Sequence, residues 1–509
     1  MRVRGPLAAP WLSLTMFAAS AASMALEIVA GRMLAPYVGM SLYSWTAIIA
    51  VVLAGLSLGH WLGGIAADRS ARPARVAGLA LLAAAATAAL SVAVLPLVAP
   101  ALARLDPMQG IGLLSVSAFL LPSLFAGVLS PLVTRLALDA ARPGRQGRVL
   151  GRMFALGALG AIAGTVLAGF WMVSDLGSRA SVLAVAGCYL VLAPPFLAAA
   201  GRVAALALAG LIGIGALLGP RLMPALASPC TAETAYYCIR IDHVRLNGRP
   251  ATVLVLDHLA HGMNDPVPTV LPMAYLDLAD RLVRRRMPDR PPEAFFVGGG
   301  ALTLPRAWAA GWPGARITVA EIDPGVTAAA GRMGVDVSAF EILHSDARIA
   351  LRDLPEGRRF DVILSDVFRD IAMPQHLVTD EFHALVAARL KPGGVYLVNV
   401  IEALWRPPFL LSLIRTLKAR FPVVELWIDT AELSREERRV TWLVLASDRP
   451  TGTDRIDTAH PLPRTWLRLP AERMLTVLPA DQTVFLTDDL APVDRLMRHV
   501  MLDRRLAED

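Results

Sequence analysis

Three consecutive glycines and a downstream carboxylate are the residues of this chain whose types and spacing point most directly to chemistry. Gly298, Gly299 and Gly300 follow the apolar stretch Phe295-Phe296-Val297, and Glu321 follows the next strand-like stretch. A Gly-rich turn after one strand and a carboxylate about twenty residues later are typical of a parallel α/β sheet that binds the ribose of a nucleoside. The glycines let the backbone come close to the ligand, and Glu321 can accept hydrogen bonds from both ribose hydroxyls.

An alternation of strand and helix patterns must position these residues. Six strands are predicted within that alternation, and a seventh, which follows a charged turn, is predicted to be antiparallel. This arrangement indicates a methyltransferase-like (Rossmann-type) sheet of seven strands. Two β-branched stretches around Asn247-Gly248 precede it and predict an N-terminal β-hairpin region. The predicted strands of the sheet cover residues 294–297, 316–320, 340–343, 361–365, 395–400, 423–427 and 440–446.

Composition divides the chain of 509 residues into two halves. Mean hydropathy is +0.53 and 55% of the residues are hydrophobic, which is too high for a soluble protein but expected where a membrane domain precedes a soluble one. Of the 49 basic and 42 acidic residues, 15 Arg and 5 acids lie up to Cys230, so 34 basic and 37 acidic residues follow. A slightly acidic soluble half without basic clusters argues against a nucleic-acid partner and is compatible with a cationic small substrate.

Seven apolar stretches in the first half have the length of membrane spans, for which about twenty residues are needed. The last two are joined only by Gly201 and Arg202 and predict a tight hairpin. The domains are therefore expected to be a transmembrane domain at 1–225, the hairpin region at 231–268, a nucleoside-binding domain at 269–447 and a C-terminal extension at 448–509. The predicted spans are 11–34, 43–66, 76–98, 111–136, 151–173, 180–200 and 203–218.

The arginines before and between these stretches give an orientation. Eleven lie on the side of the N-terminus and three on the other side, so the positive-inside rule predicts a cytoplasmic N-terminus in a bacterial inner membrane. Seven spans place the soluble half outside the cytoplasm, and a count that is wrong by one places it inside. The eleven are Arg2, Arg4, Arg69, Arg72, Arg75, Arg135, Arg142, Arg145, Arg148, Arg152 and Arg202; the three are Arg32, Arg104 and Arg179.

Three cysteines also bear on the side of the membrane on which the soluble half lies. Cys188 lies within a predicted span, and Cys230 and Cys238 flank the point where the chain leaves the membrane half. Such a pair forms a disulfide in an oxidising compartment and stays reduced in the cytoplasm, and the sequence leaves both states open. No further Cys or His lies at ligand spacing, so no metal site is predicted.

One carboxylate lies within the membrane half. Glu27 is in the middle of the first predicted span, Arg32 follows five residues later, and His60 lies in the second span. A carboxylate in hydrocarbon faces a partner or a polar cavity. Glu27 is therefore either half of a structural ion pair or part of a path for transport or substrate entry.

A series of motifs in the soluble half carries a family resemblance. The motifs follow one another as they do in spermidine synthases, the polyamine aminopropyltransferases, and the resemblance covers residues 234–447. The membrane half and the C-terminus are similar to bacterial membrane-fused forms of that family through residues 25–32, 34–39 and 486–494. The motifs are Gly298-Gly299-Gly300, Val319-Ala320-Glu321-Ile322-Asp323, His344-Ser345-Asp346-Ala347, Phe360-Asp361-Val362-Ile363-Leu364-Ser365-Asp366 and Leu390-Lys391-Pro392-Gly393-Gly394.

The resemblance assigns nucleoside-binding roles to residues after the first three strands. Besides the glycines and Glu321, it implies that Asp346 accepts a hydrogen bond from the adenine amino group, with Ala347 beside it. A helix N-cap is the alternative role of Asp346. Asp366 ends the fourth strand, where open α/β sheets bind ligands.

The chain departs from the family where the amine should bind. Ala301 occupies the place of an acid that helps hold the aminopropyl ammonium. Arg369 occupies the place of the second Asp of the fourth-strand motif, which draws a proton from the attacking amine, and Asp370 follows it. Tyr237 aligns with a Gln that helps bind the nucleoside. The sequence therefore supports nucleoside binding better than amine binding.

Several residues are candidates to complete the site. Amine attack requires a base, and Asp370 and His376, in the loop after the fourth strand, could join Asp366 in a catalytic role. The substrate-binding candidates are Tyr237, His261, Tyr275, Asp488 and Asp489, of which the last two could close over the site. Packing or surface roles are the alternatives for His261, His376 and Tyr275, and a helix N-cap before Pro492 is the alternative for Asp488 and Asp489.

These observations predict a membrane-anchored, aminopropyltransferase-like enzyme of the lipid bilayer. It would transfer an aminopropyl group from decarboxylated S-adenosylmethionine, as a co-substrate, to a small-molecule amine, with no permanently bound cofactor. One alternative is a methyl or other alkyl transferase that uses S-adenosylmethionine. Another is a non-enzymatic membrane transporter or sensor whose soluble domain binds a nucleoside or polyamine. The sequence does not determine which amine is the acceptor or whether the protein forms a homo-oligomer.

Overall fold

A computed structural model of the chain describes residues 9–102, 104–197, 210, 213, 228–246, 248–288, 290–368, 371–434, 439–459 and 461–502. The chain forms two units, Met1–Cys238 and Ile239–Asp509. The boundary lies eight residues after Cys230, within the region where the sequence predicts a β-hairpin.

Six long apolar helices make up most of the described part of the first unit, and each is long and apolar enough to cross a membrane. Small residues allow close packing: a Cβ on Gly160 or Gly164 would overlap the backbone carbonyls of Phe17 and Ala21. The seventh predicted span, 203–218, lies outside the described residues except for Gly210 and Gly213. The helices are α1 (Ala9–Val38), α2 (Leu42–Arg69), α3 (Pro73–Leu102), α4 (Pro107–Asp139), α5 (Gln146–Leu176) and α6 (Ser178–Leu197).

The second, third and fourth strands of the chain form an antiparallel meander. Strand β1 (Ala232–Glu233) lies in the first unit, and the chain continues through β2 (Cys238–Leu246), β3 (Arg249–Leu256) and β4 (Leu259–Asn264). β2 pairs with β3 so that Leu246 lies opposite Arg249, and β3 pairs with β4. Helix α7 (Ala274–Arg286) follows.

A nine-stranded mixed sheet forms the centre of the second unit. The strand order is β12-β13-β10-β11-β9-β8-β5-β6-β7. β6, β5, β8 and β9 are parallel neighbours, whereas β11 pairs antiparallel with β9 and with β10. The strands are β5 (Glu293–Val297), β6 (Arg316–Ala320), β7 (Glu341–Leu343), β8 (Phe360–Ser365), β9 (Leu390–Ala403), β10 (Val423–Asp429), β11 (Arg439–Ser447), β12 (Arg455–Thr458) and β13 (Arg464–Leu469).

The prediction of seven strands is wrong, because β12 and β13 extend the sheet beyond β10. Residues 461–470 contain prolines that predict a loop, but Pro463 and Pro470 lie just outside β13 and therefore do not interrupt its pairing with β12 and β10. β13 pairs antiparallel with β10, and its Trp466 is 1% exposed in the core. Burial of this large side chain favours the additional strands.

Helices cover both faces of the sheet and enclose two apolar clusters. One cluster contains Phe295, Phe360 and Trp442, and the other contains Trp308, Trp427 and Trp466. The helices are α8 (Thr303–Gly311), α9 (Pro324–Arg332), α10 (Ala347–Asp353), α11 (Asp380–Arg389) and α12 (Pro408–Leu417), followed near the C-terminus by α13 (Ala471–Leu475), α14 (Val493–Leu496) and α15 (Arg498–Leu502).

Candidate active site

Several residues to which the sequence assigns a role in binding or catalysis lie at the carboxyl ends of neighbouring strands. We call this side of the sheet the carboxyl edge. The glycines follow β5, Glu321 follows β6, Asp346 lies after β7, and Asp366 follows β8. Because these strands are parallel, their carboxyl ends meet at the same edge, which is where open α/β sheets bind ligands.

Glu321 is held by backbone amides of the glycine turn. One carboxylate oxygen, Oε2, accepts hydrogen bonds from the amides of Gly299 at 2.9 Å and Gly300 at 3.3 Å, and Oε1 accepts one from the amide of Asp323 at 3.0 Å. The side chain is 7% exposed, and burial raises its pKa despite these hydrogen bonds. The turn and the carboxylate therefore form one rigid unit with acceptor capacity left over, since a carboxylate can accept about four hydrogen bonds.

Gly298 brings this turn against the end of β8. Its φ is +94°, and a Cβ there would lie 2.6 Å from the carbonyl oxygen of Asp366 and 2.8 Å from Val367 Cγ1. Only glycine adopts this conformation and this approach without strain. The glycine turn is thus adjacent to the backbone of Asp366.

Asp366 is the central carboxylate of a buried polar group. Tyr275 on α7 donates a hydrogen bond of 2.6 Å to its Oδ2, and Asn399 on β9 donates one of 2.8 Å to its Oδ1. Burial raises the pKa of Asp366, and burial together with the Asp366 charge raises the pKa of Tyr275. The amide oxygen of Asn399 is buried without a hydrogen-bond partner among the described residues. The group therefore has an unused acceptor beside a carboxylate that is more basic than usual.

Asp346 caps helix α10. Its Oδ1 accepts hydrogen bonds from the amides of Arg348 at 2.9 Å and Ile349 at 3.2 Å, while Oδ2 lies 2.7 Å from His376 Nε2. The hydrogen bond from His376 lowers the pKa of Asp346. The N-cap alternative is therefore what the structure shows, and contact with adenine stays a prediction. Ala347 is buried as the first residue of α10.

Asp488 joins the C-terminal segment to the loop that carries His376. Its carboxylate pairs with both terminal nitrogens of Arg348, at 2.7 and 2.6 Å, and accepts a hydrogen bond of 2.8 Å from Thr379. Arg348 also donates to the carbonyl of His376, and it lowers the pKa of Asp488. The N-cap alternative for Asp488 and Asp489 is wrong, because Pro492 is the N-cap of α14 and Asp489 is exposed.

His261 and Gly262 of β4 pack against Gly300 and Ala301 at the end of the glycine turn. The carbonyl of His261 would contact a Cβ on Gly300, and burial lowers the pKa of the His261 imidazole to about 4. Ala301 is 2% exposed, and a Cβ on Gly262 would overlap its methyl group. The Ala301 side chain is thus packed in the protein and supplies no charge to the site.

Two predicted site residues, Asp370 and Tyr237, are not tested by the described structure. Arg369 and Asp370 lie outside the described residues. Tyr237 belongs to the first unit, where its amide donates to Thr234 Oγ1 at 2.9 Å. The catalytic role of Asp370 and the binding role of Tyr237 therefore stay predictions.

The sequence analysis did not identify Asn399. A polar residue between Val398 and Val400, in an otherwise apolar strand beside the one that ends at Asp366, was the available signal. Among the described residues, no group of three or more His, Cys, Asp or Glu side chains is arranged to hold a metal ion.

Parts of this chain are similar in sequence to known proteins. No protein-family model matches the chain. A curated protein from Bifidobacterium longum, named probable polyamine aminopropyl transferase, is 31% identical over 126 residues, which are 25% of this chain and 27% of that protein. One from Emericella nidulans, named N-terminal histidine N-methyltransferase, is 30% identical over 211 residues, which are 39% of this chain and 36% of that protein.

The chain thus spans about a third or less of the length of these curated relatives. A crystal structure of a probable spermidine synthase from Corynebacterium glutamicum has 18% identity and a TM-score of 0.43, with 50% of this chain and 95% of that chain covered. Both curated relatives are named as transferases. The one from Bifidobacterium longum, named probable polyamine aminopropyl transferase, confirms the resemblance of this chain to the spermidine synthase-like family.

Proposed function

We propose that this protein is a membrane-anchored, aminopropyltransferase-like enzyme. Its second unit binds decarboxylated S-adenosylmethionine at the carboxyl edge of the sheet and transfers the aminopropyl group to a small amine. The transmembrane domain at 1–225 anchors it in a bacterial inner membrane with the N-terminus in the cytoplasm. The hairpin region at 231–268 and the C-terminal extension at 448–509 flank the nucleoside-binding domain at 269–447.

The observation that carries the proposal is the position of Glu321 on the glycine turn. The amides of Gly299 and Gly300 fix its carboxylate at the end of β6, where a ribose would lie in a nucleoside site. The remaining lone pairs can accept hydrogen bonds from the two ribose hydroxyls. Asp346 supports the adenine end, since it lies at the end of the adjacent strand β7.

The reaction needs a positioned amine and a base. The amine nitrogen uses its lone pair to form a bond to the aminopropyl carbon next to sulfur, and the carbon–sulfur bond breaks. Its electron pair stays on sulfur, so the positively charged sulfonium becomes the neutral thioether of methylthioadenosine. The amine loses one proton to a base. Because the co-substrate carries its own leaving group, the protein mainly positions, deprotonates and excludes water.

Asp366 is the described residue best suited to be that base. Its pKa is raised by burial, which makes the carboxylate a better proton acceptor near neutral pH than an exposed Asp. Tyr275 and Asn399 fix its two oxygens, and the buried Asn399 amide oxygen can accept a hydrogen bond from an ammonium or amine. His376 is hydrogen-bonded to Asp346, and Asp370 remains the second candidate base.

A methyl transfer from S-adenosylmethionine is the second candidate function. Ala301 favours it, because the buried methyl group leaves no acid at the position that would hold the aminopropyl ammonium. The similarity to a histidine N-methyltransferase is compatible with it.

Calorimetric titration of the purified full-length protein separates the two candidates. The proposal predicts that methylthioadenosine and decarboxylated S-adenosylmethionine bind with similar or higher affinity than S-adenosylmethionine. Tighter binding of S-adenosylmethionine, accompanied by S-adenosylhomocysteine formation with an acceptor, would favour methyl transfer. Absence of binding by all three nucleosides would contradict both functions.

A further inference from the structure

The segment at residues 228–238 is bound to one end of the helix bundle within the first unit. Arg32, near the C-terminal end of α1, is 8% exposed and donates hydrogen bonds to the carbonyls of Tyr236 at 2.5 Å and Thr234 at 3.0 Å. Glu233 accepts a hydrogen bond of 2.8 Å from the amide of Ser178, the first residue of α6. The segment therefore lies where α1 ends and α6 begins.

Successive helices in this bundle run in opposite directions. Arg179 at the start of α6 donates to the carbonyl of Val92 in the second half of α3, and Arg135 near the end of α4 pairs with Asp68 at the end of α2. The end of α1, the second half of α3 and the start of α6 thus share one end of the bundle, and α2 and α4 finish at the other. Helix α6 starts at the first end and finishes at the opposite end, at Leu197.

Leu197 and Ser228 therefore lie at opposite ends of the bundle, because residues 228–238 are again at the end where α6 began. The seventh apolar stretch, 203–218, lies in this interval. We propose that residues 228–238, and the second unit that follows them, lie on the side of the membrane opposite to the end where α2 and α4 finish, in an oxidising compartment outside the cytoplasm.

A disulfide supports this side independently of the helix directions. Cys230 and Cys238 are bonded within the same segment, with their Cα atoms 5.2 Å apart and Cys238 2% exposed. Structural disulfides persist in oxidising compartments and are rare in the cytoplasm. The arginines give the same orientation. Among the described residues, eight of the eleven lie near the end where α2 and α4 finish, which the positive-inside rule places in the cytoplasm.

The topology has a consequence that rests on the proposed function. A sulfonium nucleoside carries a permanent charge and does not cross a hydrocarbon layer unaided. A transport reaction must therefore supply the co-substrate to the compartment that contains the site, whereas the acceptor amine can come from outside the cell. The topology itself does not depend on catalysis and can be tested without it.

Accessibility of introduced cysteines tests the side of the second unit. The full-length chain carrying Cys188→Ser, which removes the free thiol, receives either Glu356→Cys, in an exposed turn of the second unit, or Gln146→Cys, exposed at the start of α5. A membrane-impermeant maleimide is applied to intact spheroplasts. We expect Glu356→Cys to react without permeabilisation and Gln146→Cys to react only after it. The reverse pattern, or reaction of both only after permeabilisation, would overturn the topology.

The disulfide is tested on the same preparations. After denaturation without reductant, Cys230 and Cys238 should not react with a maleimide polymer, and both should react after reduction, which gives two additional mass steps on a gel. A Cys230→Ser, Cys238→Ser double variant is the control. Two mass steps without reductant would overturn the assignment to an oxidising compartment. Neither measurement depends on activity, so failure of the proposed function would leave both results interpretable.

Discussion

The hydroxyl of Tyr275 donates a hydrogen bond of 2.6 Å to the carboxylate of Asp366, 91 residues further along the chain. The Asn399 amide binds the other carboxylate oxygen at 2.8 Å. Two buried donors from two other elements therefore fix the orientation of a carboxylate at the end of β8. This geometry identifies Asp366 as the residue on which the proposed chemistry can be tested most sharply.

Replacement of Asp366 tests its role as the base. We expect Asp366→Asn to lower turnover by about 10² to 10⁴, the usual contribution of general-base catalysis, while nucleoside affinity changes by less than about threefold. Steady-state rates and calorimetric affinities measure the two effects. Asp361→Asn is the matched control, because Asp361 is buried near the other end of β8 and pairs there with Arg290 and Lys391. Full activity of Asp366→Asn, with loss of activity in Asp370→Asn, would assign the base to Asp370.

The donors to Asp366 should control the pH dependence of the reaction. A hydrogen bond to a carboxylate stabilises its charged form and lowers its pKa. Asn399→Leu removes one such bond and should raise the pKa of Asp366 further, so a smaller fraction is ionised at any given pH. We therefore expect the acid limb of the plot of kcat against pH to move to higher pH in Asn399→Leu. Tyr275→Phe should move the acid limb in the same direction. An unchanged acid limb in both variants would show that another group titrates.

Loss of the Glu321 carboxylate should weaken nucleoside binding. Glu321→Ala removes a charged acceptor for two hydroxyls, which should cost on the order of 2 to 4 kcal/mol, or about 30- to 1000-fold in affinity for methylthioadenosine. Glu341→Ala is a suitable control, because Glu341 begins β7 and binds Thr318 and Arg358 away from the carboxyl edge. Equal affinities of a folded Glu321→Ala protein and the wild type would refute the assigned site.

A buried histidine should make the second unit sensitive to acid. His383 is 0% exposed, and burial lowers its pKa to about 3. The unfolded chain binds a proton near pH 6.5, whereas the folded chain does not until about pH 3. Stability should therefore fall as pH decreases from 6.5 toward 3, with a contribution from His383 of at most about 1.4 kcal/mol per pH unit.

His383→Phe measures this contribution. The ring packs 5.7 Å from that of Tyr396, and phenylalanine can fill the space without titrating. Between pH 7 and pH 4, the midpoint temperature of thermal unfolding should fall less in the variant than in the wild type, with both measured in the same detergent. Parallel losses in the two proteins would mean that the imidazole is not buried in its neutral form.

The carboxyl edge could be predicted from the sequence because its signals are local. A Gly-rich turn and the acid after the next strand have a fixed spacing, and parallel strands bring them together whatever the rest of the chain does. The antiparallel last strand of the predicted sheet, β11, could be predicted because a charged turn rather than a long helix precedes it.

The remaining features depend on contacts between residues distant in sequence. Asn399 gains its significance only because β9 lies beside β8, and nothing local distinguishes it from a structural amide. Burial of Trp466 stabilises the pairing of β13 with the sheet, although the surrounding prolines indicate a loop. Asp488 likewise acts through Arg348, 140 residues away, rather than as the helix cap that its local sequence indicates.

Product formation by the full-length protein tests the central claim most directly. Purified protein is incubated with decarboxylated S-adenosylmethionine and a panel of amines that includes putrescine, and methylthioadenosine is quantified by chromatography. The proposal predicts that methylthioadenosine and an aminopropylated amine appear in equal amounts with at least one amine, and that the rate of formation of both falls by about 10² to 10⁴ in Asp366→Asn. If the protein binds the nucleoside but releases no methylthioadenosine with any amine, and forms S-adenosylhomocysteine from S-adenosylmethionine instead, aminopropyl transfer is contradicted.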